Sequence, residues 1–233
     1  IRDCLLSRGL GDVYKRQCRK ILASAGIPMA NSELARTAKD AVSIWQGIKA
    51  PVALKIVSSD ILHKTEIGGV VLNLNNANDI ENAFNRIIDA GKTHYPDAKI
   101  DGVIVSEMIT DGVETVLGVI NDPIFGPAVM FGLGVVFVEV LSDVTFRLAP
   151  FDITEAHRMI SEIKGIKMLN GARGAQPSDI NAIAEALVKL SVFAHENAEK
   201  ISSIDINPFM VKPEGKGAAG VDALIIPNGV EVN

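Results

Sequence analysis

Apolar and polar residues change their spacing several times along the chain, and each change marks an element. Arg19 to Ala25 closes a helix that Gly26 stops before Ile27-Pro28. A second helix runs from Thr37 to Gly47, with Thr37 as N-cap and Asp40 in the first turn. Residues 52–57 read as a strand, 58–69 as a polar loop and 70–74 as the next strand. Asn78 is expected to cap a helix whose Ile80, Phe84, Ile87 and Ile88 form one apolar stripe. A strand over 103–108 runs into a hinge-like connection at 109–112.

The second half opens with a strand over 113–120 and a turn over 121–126. Strands follow over 128–131 and 135–140, about a Gly132-Leu133-Gly134 corner. Thr154 is expected to cap a helix to about Lys164. Ser178 or Asp179 starts a longer helix that buries Ile180, Ile183, Leu187 and Leu190. Strands and helices mix without strict alternation, and neighbouring strands form hairpins. The expected class is α+β, two lobes with mixed or antiparallel sheets and flanking helices. Their boundaries are expected at 18–107 and 108–233. Residues 1–17 lack a clear period, and 6–17 look like translated sequencing-adapter sequence, so 1–17 is expected to stand outside the fold. The first residue is Ile1, which suits a fragment or a processed product.

The most informative stretch is Ser203-Ile204-Asp205-Ile206-Asn207-Pro208-Phe209, answered by Val221-Asp222-Ala223-Leu224-Ile225. Alternation sends Asp205 and Asn207 to one strand face. If the hairpin folds about Glu214 and Gly215, Asn207 faces Asp222, and opposed Cβ atoms lie about 5 Å apart. Two carboxylates and an amide oxygen then converge, a set suited to a hard cation that keeps some waters, Mg²⁺ above all. The plainer reading is a hairpin with polar residues facing water.

Composition narrows the field. The 233 residues are 48% hydrophobic but only 5% aromatic, so the core must be mainly Ile, Val, Leu and Ala. The net charge of −5 argues against nucleic acid as a partner, which would call for a basic stripe. Cys4 and Cys18 make no disulfide framework and suit a reducing cytoplasm. The most apolar run, 128–138, is too short to cross a bilayer, so no membrane role is expected. The chain is expected to be cytoplasmic.

Other candidates each carry two readings. Lys55 lies among apolar residues on its strand, opposite in facing to Val52, Leu54 and Ile56; it either snorkels to the rim or meets a phosphate. In the 58–69 loop, hydroxyls, Lys64 and the N–H groups of Gly68 and Gly69 can serve phosphates. His63 there is either a phosphorus nucleophile or a solvated histidine. Glu107 and Met108 end a strand where a backbone can meet an adenine edge, with Glu114 near enough for ribose hydroxyls. Each is equally a plain strand residue. Arg147 either clamps a phosphate or pairs with Glu139 or Asp143.

Taken together, Leu54-Lys55-Ile56-Val57-Ser58-Ser59-Asp60-Ile61-Leu62-His63-Lys64-Thr65-Glu66-Ile67-Gly68-Gly69-Val70, Met130-Phe131-Gly132-Leu133-Gly134, Phe146-Arg147-Leu148-Ala149-Pro150 and Asp205-Ile206-Asn207-Pro208 resemble the ATP-grasp domain of ADP-forming acyl-CoA synthetases, of the acetate–CoA ligase type and related to succinyl-CoA synthetase. The resemblance implies reversible conversion of acyl-CoA, ADP and phosphate to acid, CoA and ATP through phosphohistidines. It implies ATP/ADP and Mg²⁺ as cofactors, Lys55 on nucleotide phosphates and Glu107 with Met108 on the adenine side. Asn207 and Asp222 become Mg²⁺ ligands with Asp205 beside them, and His63 a mobile phosphohistidine. The implied partner is a CoA-binding ligase alpha subunit or fused domains, through which acyl-CoA and phosphate arrive. Val135 departs from the family, which usually has glycine after Gly134. Two other readings stand beside this one: a regulatory ATP-grasp-like module of a protein lysine acetyltransferase, and a carboxylate–amine ligase.

Overall fold

Helix α1 (Asp12–Ser24) opens the described part of the computed structural model, which covers residues 12–61, 64–134 and 143–230. Ala25 N donates to Ile21 O at 3.1 Å, and Gly26 at φ 79° ends the helix as its glycine requires. The second half of the stretch expected to be foreign is therefore helical: Asp12 to Gln17 continue directly into Cys18 and Leu22, both buried. Residues 1–11 lie outside the described part.

The chain divides into two compact units, the first built on Ala30–Ile109 and the second on Gln17–Met29 with Thr110–Glu231. Gln17–Met29, which takes in the larger part of α1, thus clusters with the second unit, whereas Asp12–Arg16 at the start of the helix clusters with the first. The reason is tertiary. Arg19 Nη1 donates to Val221 O at 3.0 Å and Gly220 N to Pro28 O at 2.9 Å. Met29 bridges Gly220, where a Cβ would fall 2.6 Å from Ile206 Cγ2 and 2.8 Å from Met29 Sδ.

In the first unit, β1 (Ser32–Ala35), β2 (Val52–Ser58), β3 (Val70–Leu74) and β4 (Ile100–Glu107) form an antiparallel sheet in the order β1-β4-β2-β3. Helices α2 (Ala38–Ile48) and α3 (Ala77–His94) join it. Val52, Leu54, Ile56, Val103 and Val105 cluster with Ala41, Ile80, Phe84 and Ile87, the α3 stripe read from the sequence. Thr37 caps α2 in a full capping box with Asp40. The cap of α3 is Asn76, not Asn78: its side chain accepts from Asp79 N at 2.9 Å, three residues on.

In the second unit, β5 (Val113–Asp122), β6 (Gly126–Leu133), β7 (Val144–Leu148), β8 (Ile201–Val211) and β10 (Ala223–Pro227) run in the order β10-β8-β5-β6-β7, and β9 (Ala218–Gly220) extends the edge of β8. All described pairings are antiparallel. Helices α4 (Ile153–Ser161), α5 (Ile166–Leu169) and α6 (Ile180–Glu196) complete the unit. Asp152, rather than Thr154, caps α4 by accepting from Glu155 N. Strand β7 had no signal in the sequence beyond Arg147, and the strand expected over 135–140 lies outside the described residues. One sheet face buries Leu117, Val119, Val129, Phe131, Leu133, Ile204, Ile206 and Phe209. The register pairs these residues with one another or with buried Thr115 and leaves Glu114, Val116, Gly118, Met130, Asp205 and Asn207 on the opposite face.

Candidate functional site

The closing hairpin follows the symmetry read from the sequence. Phe209 pairs with Gly220 and Ile206 with Ala223, so Asn207 and Pro208 meet Asp222 and Val221 between them. Asn207 N donates to Asp222 O at 3.2 Å and Val221 N to Pro208 O at 2.9 Å. Alternation along β8 buries Ile204 and Ile206 while Asp205 and Asn207 stay half-buried on the other face. Toward β5 the ladder is irregular, because Asn207 and Pro208 together oppose Val116. Asp222 Oδ1 accepts from Ala223 N at 2.9 Å, which fixes the carboxylate against the strand it begins.

These oxygens fit a hard divalent cation. Among the described residues, no cluster of three or more His, Cys, Asp or Glu side chains has metal-site geometry. The hairpin offers two carboxylates and one amide, an all-oxygen set. Mg²⁺ takes few protein ligands and retains waters, so such a set suffices for it. Glu114 is exposed on the same face, opposite Met210. Val116, Met130 and half-buried Val144 form a small apolar cluster beside it.

In the first unit, Lys55 stands half-buried on the face opposite Leu54 and Ile56, as expected. It pairs with Ile104 on β4 and Val70 on β3, so its stem lies among apolar neighbours. The adjoining polar pair is Ser106 Oγ to Ser32 Oγ at 3.1 Å.

The loop after β2 corrects one reading. Gly69 N donates to Lys64 O at 2.8 Å and Gly68 N to Thr65 O at 3.1 Å, while Gly69 O accepts from Ile56 N at 2.8 Å. Both glycine N–H groups are thus used inside the loop and are not phosphate donors in this conformation. The glycines are explained by shape instead. Gly68 has φ 72°, and a Cβ on Gly69 would lie 2.8 Å from both Ile56 Cγ2 and Lys64 O. Burial holds the Lys64 ammonium below the ordinary lysine value. His63 lies outside the described residues.

Arg147 is a second correction. Its Nε meets Glu155 Oε1, its Nη2 donates to Glu162 Oε2 at 2.7 Å, and its Nη1 donates to Phe146 O at 2.9 Å. The guanidinium is committed to the helical side of β7 rather than to a phosphate, and these hydrogen bonds raise its pKa further. Of the two expected partners, Asp143 is otherwise engaged: it accepts from Lys164 N at 2.7 Å and Gly165 N at 2.8 Å, and Glu139 lies outside the described residues.

Glu107 and Met108 are also engaged. Glu107 Oε2 accepts from Asn31 Nδ2 at 2.8 Å, and Glu107 N donates to Asn31 O at 2.8 Å. Met108 N donates to Pro51 O at 2.9 Å, so that N–H is not open to an adenine edge. Asn31, Arg19 and the second oxygen of Asp179 are supporting residues that the sequence reading missed. Each acts over more than 35 residues, and no local period reports such a contact. Among the described residues, no helix is long and apolar enough to cross a membrane.

The profile of the ATP-grasp domain matches residues 5–226. The beta subunit of ADP-forming acetate–CoA ligase II from Pyrococcus furiosus is 39% identical over 225 residues, covering 97% of this chain and 95% of that one. ADP-forming acetate–CoA ligase I from Archaeoglobus fulgidus is 42% identical over 215 residues, which are 92% of this chain but 31% of that protein. A solved structure of Ca. Korarchaeum cryptofilum acetyl-coenzyme A synthetase 1 superimposes with a TM-score of 0.78 at 39% identity, covering 92% of each chain. It holds coenzyme A and Mg-AMPPCP, with its phosphohistidine segment pointing towards the nucleotide binding site. The profile match over nearly all its length and 39% identity across 97% of the chain establish that this chain belongs to the ATP-grasp family, alongside the beta subunits of ADP-forming acetate–CoA ligases.

Proposed function

We propose that this chain is the nucleotide-binding, phosphohistidine-forming part of an ADP-forming acyl-CoA synthetase. The observation that carries the reading is the pairing of Asn207 with Asp222, on the strand face that also presents Asp205. Asn207 and Asp222 hold Mg²⁺ through oxygen, with Asp205 beside them. When bound, Mg²⁺ offsets the negative charge of the nucleotide phosphates. Lys55 presents its ammonium to a phosphate, its stem steadied by apolar neighbours on β3 and β4. Glu107 and Met108 lie on the adenine side as a strand end braced by Asn31 and Pro51, and Glu114 takes ribose hydroxyls.

His63 carries the chemistry. Its neutral imidazole nitrogen attacks a phosphohistidine phosphorus brought by the CoA-binding part, forming a new N–P bond as the donor histidine's N–P bond breaks. A terminal phosphate oxygen of ADP then attacks that phosphorus, His63 leaves as imidazole, and ATP forms. The chain works with further polypeptide, because one relative is named a beta subunit and another carries the matching region as less than a third of its length. We assign that polypeptide the CoA and acyl sites. The relatives reported are ligases, and nothing in them favours the acetyltransferase or carboxylate–amine ligase readings.

The test is phosphate transfer in reverse. Incubated with γ-labelled ATP and Mg²⁺, the chain acquires acid-labile, base-stable label, and His63→Asn acquires none. Nucleotide binding without label on the folded wild-type chain, or label retained by His63→Asn, overturns the reading.

A further inference from the structure

Asp179 caps α6, but its carboxylate serves two places. Oδ1 accepts from Ala182 N at 3.1 Å and closes the first turn of the helix, as an N-cap does. Oδ2 accepts from Gly217 N at 2.9 Å, 38 residues further along the chain. The same short stretch makes three more attachments to the turn between β8 and β9. Asp179 N donates to Lys212 O at 2.9 Å, Glu214 N donates to Pro177 O at 2.8 Å, and Ser178 bridges Pro213. Both arms of the turn are therefore fastened to residues 177–179, the outgoing arm at Lys212 and the returning arm at Gly217.

The turn closes in the same register, with Lys212 N donating to Gly217 O at 3.0 Å and Lys216 N to Pro213 O at 2.9 Å. Gly215 and Gly217 both take positive φ, at 74° and 79°, and a Cβ on either would meet nothing within 4 Å. The stakes of that register are high, because a slip of one residue carries every returning side chain to the other sheet face. Such a slip would take Asp222 away from Asn207 and onto the face of Ile204 and Ile206. An acceptor anchored outside the turn, on the rigid start of a 17-residue helix, selects one register.

We propose that Asp179 is a positioning residue that locks the hairpin so that Asn207 and Asp222 present their oxygens together, and that its second oxygen thereby sets divalent-cation affinity without touching the cation. The inference rests on the assignment of Asn207 and Asp222 as Mg²⁺ ligands. Asp179→Ser isolates the effect, because serine caps a helix about as well as aspartate but has no second oxygen for Gly217. ATP binding to the full chain is titrated against Mg²⁺, and again in EDTA, with Asp222→Asn as control. Asp179→Ser should raise the Mg²⁺ needed for half-maximal effect about tenfold, the low end for groups that orient a ligand through hydrogen bonds. ATP affinity in EDTA should be unchanged. The melting temperature should fall by about 3–12 °C, the worth of one hydrogen bond to a charged acceptor in a chain of this size.

An unaltered Mg²⁺ requirement in Asp179→Ser, with a shifted one in Asp222→Asn, overturns the positioning role alone. An unaltered requirement in both overturns the metal assignment and this inference with it. If Asp179→Ser does not fold, Asp179→Asn keeps one acceptor for the cap and is read in the same way.

Discussion

The sheets of the two units share a plan: each gives one face to apolar packing and leaves polar chemistry on the other. They dress that second face differently. In the first unit it carries a half-buried cation, Lys55, between Val70 and Ile104. In the second it carries oxygen donors from two strands, Asp205 and Asn207 on β8 with Asp222 just before β10. An ammonium on one central strand needs only alternation to aim it. A cluster drawn from two strands needs register as well, and the second unit accordingly spends Asp179, Arg19 and Met29 on bracing its hairpin. Precision costs supporting contacts, and those contacts lie far from the oxygens they align.

Lys55→Met is the sharpest test of this contrast. It keeps the length and apolar packing of the stem and removes the charge, so ATP affinity should fall about 10- to 100-fold, the worth of one hydrogen bond to a charged group. Thermal stability should hardly change. A variant that melts early but binds ATP normally would make Lys55 a packing residue and dissolve the contrast. Gly69→Ala comes next and acts on stability. Its Cβ would press on Ile56 Cγ2 and Lys64 O, so unfolding should become easier by about 1–3 kcal/mol, the cost of overpacking, as read by denaturant melts. The smallest effect belongs to Arg147→Met. Its ion pairs with Glu155 and Glu162 are partly exposed, so their loss should cost about 1 kcal/mol or less, with ATP affinity unchanged. Weakened ATP binding in that variant would restore the phosphate clamp that the geometry removes.

The same contrast explains what was legible beforehand. The hairpin register followed from counting, because strand alternation and equal distances from Glu214 and Gly215 leave one pairing of Asn207. Lys55 followed from the two-residue period of β2, and α3 from its apolar stripe. The 58–69 loop was readable only as composition. Its glycines suited a phosphate cradle equally well, and which acceptors their N–H groups find is decided by the fit of Gly69 on Ile56. Arg147 was misread for a related reason: its partners sit 8 and 15 residues ahead on α4 and just beyond it, whereas proximity in sequence suggested Asp143. Helix starts slipped by two residues at Asn76 and Asp152, where two capping-type side chains stand close together and the first is used.

The discontinuity of the second unit bears on how the protein can be dissected. A cut after Ile109 looks natural on paper, yet it strands Gln17–Met29 on the wrong product and strips Leu22 and Ile27 of the environment that buries them. The notch left by Gly220 would lose Met29, and Val221 would lose the guanidinium of Arg19. A stand-alone second unit made from the C-terminal stretch would therefore need Gln17–Met29 grafted back onto it.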